Sequence, residues 1–385
     1  MIKTVPLHQV TIGMYITDIP GHDELGIRQK GLIKDPRILR VMQQRGVMSV
    51  VVDLSQSTIN PTLNMAAKVK AKKVTVRKKT FEELPQARKL YRQARKLQQQ
   101  TMESLFKGDA INLDEVGATA DEFIESVFRN PSALSCLRLI KQKDDYLLEH
   151  SIGVAILMVM FGRQLGFSGQ ELHHLCVGSL LHDIGKIKVP EKILNKPGKL
   201  SEPEFIIMRS HAAYSRDIMK ATPGLNQISL DVAAQHHEKI DGSGYPAGLS
   251  GNQISKYGRM IAICDIYDAL TADRVYRDGM TGPQAMKILR NMTPNQLDEA
   301  LLHQFINCVG VYPPGSFVEL SNGMIAIVID ATTTPLLPIV KVIYSTRSNT
   351  HVMNEELDLA LAGTNEKIVR AVKPEEYRLD PRNYL

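Results

Sequence analysis

The chain has 385 residues, 43% of them hydrophobic and 23% charged, with a formal net charge of +6. That length suits two or three domains better than one core, and that composition excludes wholesale disorder. The basicity is local: between Lys68 and Lys96 stand twelve basic and two acidic residues, net +10, which leaves −4 for the rest of the chain.

From the N-terminus, MIKTVPLHQV has no apolar core of a signal peptide. The longest apolar run, Ile152 to Gly162, falls short of the roughly 20 residues that span a bilayer. A cytoplasmic protein with no membrane segment is therefore expected. Residues 1–54 read as a small α/β regulatory or accessory domain. VTIGMYITDI has strand composition, DPRILRVMQQRG reads as a short helix from Asp-Pro to Gly46, and MSVVVDL reads as a second strand. Residues 55–109 read as a basic linker followed by an amphipathic helix over 81–106. Leu84, Ala87, Tyr91, Ala94 and Leu97 share one stripe of that helix. The stripe offers a homodimer a candidate seam, although packing on its own domain is the plainer reading. The basic run could attract nucleic acid, but it lacks interleaved aromatics, so a nucleic-acid partner is not expected.

Residues 110–310 carry helical periodicity throughout. Breaks fall at Pro190, Pro197–Gly198, Pro223–Gly224, the glycines of 242–251 and Pro294, which predicts a bundle of roughly seven to nine helices. After Tyr312–Pro313–Pro314–Gly315 the texture changes. SFVEL, MIAIVID and PIVKVIYS are strand-like, so 311–385 reads as a small β extension and tail. The fold class is thus multi-domain: a mainly α bundle between a small α/β N-terminal domain and a small β C-terminal extension. Cys136, Cys176, Cys264 and Cys308 form no CxxC pair and read as reduced, packed thiols.

The chemistry lies in the histidines of the bundle. His150 stands in EHSIGVAILMV, His182 and Asp183 in SLLHDIGKIKVP, His211 in MRSHAAYS, His236 and His237 in AQHHEKIDGSGYP, and Asp265 in IAICDIYDAL. The gaps of 32, 28, 25 and 28 residues each match a helix and its return, so successive helices can aim these groups at one cavity. Imidazole and carboxylate without thiolate suit Fe, Mn, Ni or Zn. Five histidines and two aspartates exceed one open site and suffice for two ions if a carboxylate bridges. Such a pair is a recurrent device for displacement at phosphorus. A lone His150 would more often be a satisfied core group and a lone His211 a surface one. HDIGK and HHEKIDGSGYP together make chance a poor account. His8, His22, His173, His174, His303 and His351 lack such context and read as surface or packing residues.

These segments resemble the HD-GYP family, bacterial phosphodiesterases of the HD superfamily that open cyclic di-GMP. HSIGV, LLHDIGKIKVPEKIL, KPGKLSEPEF, MRSHAAYS, HHEKIDGSGYPAGLSG and CDIYDALTADRVYR run in family order over 145–280, about a third of the chain. The resemblance implies an HD-type catalytic bundle over 110–310. One metal would be held by His150, His182, Asp183 and Asp265. The other would be held by His211, His236 and His237, with Asp183 bridging. Fe or Mn are favoured, with Ni or Zn as alternatives. A hydroxide between the ions would attack phosphorus, giving linear pGpG or, after a second cleavage, GMP. It further implies that Lys186 contacts the phosphate and helps protonate the leaving ribose oxygen. Arg274 and Arg277 would bind substrate phosphates, against the alternative of ordinary salt bridges. Gly244, Tyr245 and Pro246 are the signature loop. Family analogy gives it contact with GGDEF-domain proteins, while the plainer reading is a loop of fixed shape that supports His236 and His237. Some members carry a third-metal Glu four residues before the first His. That position is Tyr146 here, and Asp144, Asp145 and Glu149 are out of register, so two metals are expected. Alternatives are a phosphodiesterase preferring 3′,3′-cyclic GMP-AMP and a non-catalytic cyclic dinucleotide sensor.

Overall fold

The computed structural model describes residues 2–6, 10, 13–19, 31–34, 38, 42, 47, 49–53, 55–57, 77–139, 146–273, 278–361 and 363–385. It divides into two compact units, Met1–Val74 and Thr75–Leu385.

The first unit is a four-stranded antiparallel sheet of β1 (Ile2–Pro6), β2 (Tyr15–Asp18), β3 (Gly31–Leu32) and β4 (Ser49–Asp53), in the order β1-β4-β2-β3. Val50 and Val52, two apart on β4, point into its core with Ile16, Ile19, Ile33, Met42 and Val47. Most of the helix predicted after Asp35 lies outside the described residues, although Ile38 and Met42 are helical and pack on this core.

The second unit opens with eleven α-helices among the described residues. They are α1 (Thr80–Phe106), α2 (Leu113–Arg129), α3 (Pro131–Leu139), α4 (Tyr146–Gln164), α5 (Gly169–Leu181), α6 (Glu191–Leu194), α7 (Glu202–Lys220), α8 (Gln227–Gln235), α9 (Lys256–Thr271), α10 (Gly282–Met292) and α11 (Glu299–Val309). Ten of these fall after residue 110, more than expected, because a single turn such as α6 leaves no periodic stripe in the sequence. α4 explains the apolar run. Ile152, Ala155, Ile156 and Val159 pack with α1, α2 and α3, while Val154, Leu157, Met158 and Phe161 pack with α9, α10 and α11. A helix with a core on each side has no polar face to spare. The predicted stripe of α1 is buried in the first of these cores. It is covered by this unit's own helices and is not a free seam for a second copy. Beneath it Glu83, fully buried, takes two hydrogen bonds from Arg129 at 2.8 and 2.7 Å and one from Ser126 at 2.9 Å.

A five-stranded antiparallel sheet follows: β5 (Phe317–Leu320), β6 (Met324–Asp330), β7 (Ile339–Ser345), β8 (Thr350–Asp358) and β9 (Ile368–Val372), in the order β8-β7-β6-β5-β9. Alternate residues feed two cores, Ile325 and Ile327 one, Ala326 and Val328 the other. The two edge strands are the ones the sequence conceals. THVMNEELD of β8 is largely exposed, so it shows no apolar alternation. Among the described residues no helix is long and apolar enough to cross a membrane.

Candidate metal centre

The seven residues singled out by sequence converge, and helix ends do much of the work. His150 lies in the first half of α4, His211 mid-way along α7 and Asp265 mid-way along α9. His182 is the C-cap of α5, and Asp183 leaves the helix (φ −99°, ψ 9°) before a 3-10 turn, Ile184–Lys188. His236 is the C-cap of α8. Stopping a helix at the first residue of each pair lets the second side chain turn toward the same centre. Gly185 allows α7 to approach: a Cβ there would lie 2.2 Å from His211 O and 2.4 Å from Ser215 N.

The imidazoles are locked in one sense. Nδ1 of His182, His211 and His236 lies 2.7, 2.6 and 2.7 Å from the carbonyls of Ser179, Met208 and Ala233, each three residues back. A carbonyl can only accept, so each Nδ1 carries the proton and each Nε2 turns a lone pair inward. His150 places Nδ1 2.8 Å from Asp268 Oδ2 and Nε2 2.8 Å from Asp265 Oδ1.

Asp183 stands between two groups of these nitrogens. Its Oδ2 lies 3.4 Å from His182 Nε2 and 3.7 Å from His150 Nε2. Its Oδ1 lies 3.2 Å from His211 Nε2 and 3.9 Å from His236 Nε2. His237 Nδ1 lies 3.6 Å from Asp265 Oδ2. His211 and His236 face each other through Nε2 at 3.3 Å. Because both protons sit on Nδ1, that contact sets lone pair against lone pair. His182 Nε2 and Asp183 Oδ1 are buried without a hydrogen-bond partner among the described residues. Opposed lone pairs and orphaned acceptors in a buried cleft call for cations. The residues therefore fit metal ions. Two sets, His150–His182–Asp183 and His211–His236–His237, bring ligand atoms within 4.8 Å of one another.

Charge tells the same story. Burial would raise the Asp183 carboxyl, but Lys186 and the His182 and His211 rings hold it well below the usual range. Burial likewise opposes ionisation of Asp265, and the hydrogen bond with His150, together with the nearby His182 and His237 rings, outweighs it. Burial pushes His236 well down and His237 to about 3. Neutral imidazoles beside ionised carboxylates are the states that bind metal. His150 moves the other way, burial being overcome by Asp265 and Asp268.

Lys186, on the 3-10 turn rather than on α5 itself, places Nζ 2.5 Å from Asp183 Oδ2. In the signature loop, Gly244 is sterically required: a Cβ would lie 2.4 to 2.6 Å from Lys239 N, Glu238 Cα and His237 O. Tyr245 donates its backbone N–H to His237 O at 3.1 Å, its peptide bond to Pro246 is cis, and its ring lies 4.7 Å from that of His237. Buried Glu238 accepts the backbone N–H groups of Ala247 and Leu249 at 2.7 and 2.9 Å. The loop thus folds back on the histidine pair. Arg274, Arg277, Asp144 and Asp145 lie outside the described residues, as does the side chain of Tyr146.

Three residues escaped the sequence reading. Asp268 orients His150, and its position three residues after Asp265 on one helix face was the available signal. Arg138, fully buried, places Nη1 3.2 Å from Asp268 Oδ1 and 3.0 Å from Thr271 Oγ1, and nothing in its own sequence context marks it. Glu238 hides inside the HHE triplet.

Comparison with known proteins gives the family. Residues 135–301 match the HD domain family, residues 2–116 a domain of unknown function, and residues 317–380 a KOW domain associated with HD domains. The chain is 33% identical over 380 residues to a cyclic di-GMP phosphodiesterase of Pseudomonas aeruginosa, covering 96% of this chain and 92% of the relative. It is 38% identical over 161 residues to a 3′3′-cGAMP-specific phosphodiesterase of Vibrio cholerae, covering 42% of this chain and 35% of that one. In fold it is similar to a solved HD-GYP-type protein from Bdellovibrio bacteriovorus, with a TM-score of 0.50 at 15% identity, covering 79% of this chain and 98% of the other. Full-length similarity to the Pseudomonas enzyme, joined to the HD and GYP segments, places the chain in the HD-GYP family of HD-domain phosphodiesterases.

Proposed function

We propose that the chain hydrolyses a phosphodiester bond of a cyclic dinucleotide, cyclic di-GMP in the first instance, to the linear dinucleotide. The observation that carries this reading is the placement of Asp183, with Oδ2 turned to His150 and His182 and Oδ1 to His211 and His236. One carboxylate with an oxygen toward each of two sets of imidazole nitrogens is the arrangement a dinuclear site requires. His150, His182, Asp183 and Asp265 are assigned to one divalent ion, and His211, His236 and His237 with Asp183 to the other, iron or manganese being favoured. Such a pair, when bound, supplies hydroxide at neutral pH and neutralises charge on the departing oxygen.

The chain's own residues do the rest. The Nδ1 hydrogen bonds fix the rings of His150, His182, His211 and His236, so those ligands are preorganised. Lys186 stands beside Asp183, where its ammonium can neutralise the scissile phosphate and hand a proton to the leaving ribose oxygen. The GYP loop fixes His236 and His237, and it also offers the surface that a GGDEF-domain partner would meet.

A second substrate, 3′3′-cGAMP, belongs in the same test, because identity over the catalytic segment does not separate the two classes: it is 38% to the Vibrio cGAMP enzyme and 39% to a probable cyclic di-GMP phosphodiesterase of the same organism. The test is anaerobic purification with metal analysis, then incubation with each dinucleotide and chromatography of the products. Linear product from the wild type and none from Asp183→Asn supports the hydrolase. The ratio of rates decides the preferred substrate. Two bound metals without cleavage of either would overturn the reading and leave a sensor.

A further inference from the structure

We propose that Arg209 anchors the second phosphate of the cyclic dinucleotide, the one not being cleaved; this rests on the hydrolase reading above. Arg209 lies on α7, two residues before His211. Its guanidinium carbon stands 4.4 Å from the centroid of the Tyr245 ring and 5.9 Å from that of Phe205. The Tyr245 ring lies 4.7 Å from His237 and 6.5 Å from His211. The cation is therefore one ring away from the second group of histidines.

Lys196 is paired with Glu204 and Arg216, on the same helix, with Asp217, while Lys186, beside Asp183, is assigned to the scissile phosphate. Arg209 has no carboxylate and no hydrogen-bond acceptor among the described residues; its contacts are the two aromatic faces. A guanidinium held by its faces keeps its in-plane donors for a ligand.

The substrate supplies what those donors lack. A cyclic dinucleotide carries two phosphodiester charges. With one at Asp183, the other meets the edge of the site, where Arg209 joins the charge expected from Arg274 and Arg277. Arginine's fork takes a phosphate through two parallel hydrogen bonds. The exposed Phe205 ring alongside gives the nucleoside an apolar wall. Arg209 is thus a substrate-binding residue that acts away from the reacting bond.

The test compares two substrates on the metal-loaded full-length protein: the cyclic dinucleotide, and bis(p-nitrophenyl) phosphate, which has a single phosphodiester. For Arg209→Gln the ratio of their kcat/KM values should fall about ten- to a hundredfold, through KM for the dinucleotide. Arg209→Lys, which keeps the charge and loses the fork, should recover part of the ratio. Equilibrium binding of a phosphorothioate cyclic dinucleotide should weaken by a similar factor. Parallel losses on both substrates would overturn the proposal and make Arg209 a support of the Tyr245 loop, and so would an unchanged ratio. If the wild type cleaves neither substrate but binds the analogue, the hydrolase reading falls, while the binding comparison still decides the role of Arg209.

Discussion

Asp268→Asn separates what the second layer of the site does for the fold from what it does for the metal. Asp268 takes His150 Nδ1–H on Oδ2 at 2.8 Å and faces Arg138 Nη1 from Oδ1 at 3.2 Å. The Arg138 and Asp268 side chains are wholly buried. An amide at 268 keeps the shape and removes the charge. The guanidinium is then left in the interior without a carboxylate, at a cost of about 3–5 kcal/mol. That is a large share of a typical stability of about 5–15 kcal/mol. His150 loses the carboxylate that orients it, which should weaken metal binding about 10–100-fold. The two effects come apart in the double variant Asp268→Asn/Arg138→Met. With no stranded cation, most of the stability should return, while metal affinity stays low. Denaturation in EDTA reads the first quantity, and titration of metal into stripped protein reads the second. A single variant that costs under about 1 kcal/mol in EDTA would refute the buried-charge argument. A double variant that regains metal affinity together with stability would refute the orienting role.

Three further outcomes follow from the same geometry. Gly244→Ala forces a Cβ to within 2.6 Å of the backbone at His237, Glu238 and Lys239. It should cost about 1–3 kcal/mol in thermal unfolding and lower turnover; normal values for both would show that the loop yields freely. Glu83 should make stability pH-dependent. Burial alone would raise its carboxyl, but Arg129 and Ser126 hold it below the ordinary 4.5. A lowered carboxyl stabilises the fold above that value, and the stabilisation is lost as pH falls through the folded value. Glu83→Gln should therefore lose about 1.5–3 kcal/mol at pH 7, with the gap to wild type closing as pH falls below the ordinary 4.5 and through the folded value; a constant gap contradicts this. Finally, chelation should lower the unfolding midpoint, since metal at 100 times its Kd contributes about 2.7 kcal/mol. An unchanged midpoint would deny that the cluster binds metal in the folded state.

How much of this was legible in the sequence depends on how each residue acts. His182–Asp183 and His236–His237 were legible as adjacent ligand pairs, and both first members prove to be C-caps. Their chemistry is carried by residue type and local spacing, which a sequence displays. Asp268, Arg138 and Arg209 act through tertiary contacts: a carboxylate behind an imidazole, a cation 130 positions away from it, a guanidinium laid on a ring from another segment. A buried arginine in PSALSCLRL looks like any helical arginine until its partner is known. The same distinction runs through the folds of the sheet. β6 and β7 are rich in apolar residues on successive positions because both their faces are covered, and they were legible. β8 is a strand because β7 offers it hydrogen bonds from Ile339↔Asp358 to Ser345↔Thr350, not because its own side chains require one. Local pattern specifies what a residue can do, and the residues that orient the reactive ones are specified by partners far along the chain. In this protein that division falls between the ligand set, read from its motifs, and the groups behind and beside it, which fix His150 and leave Arg209 free for a second negative charge.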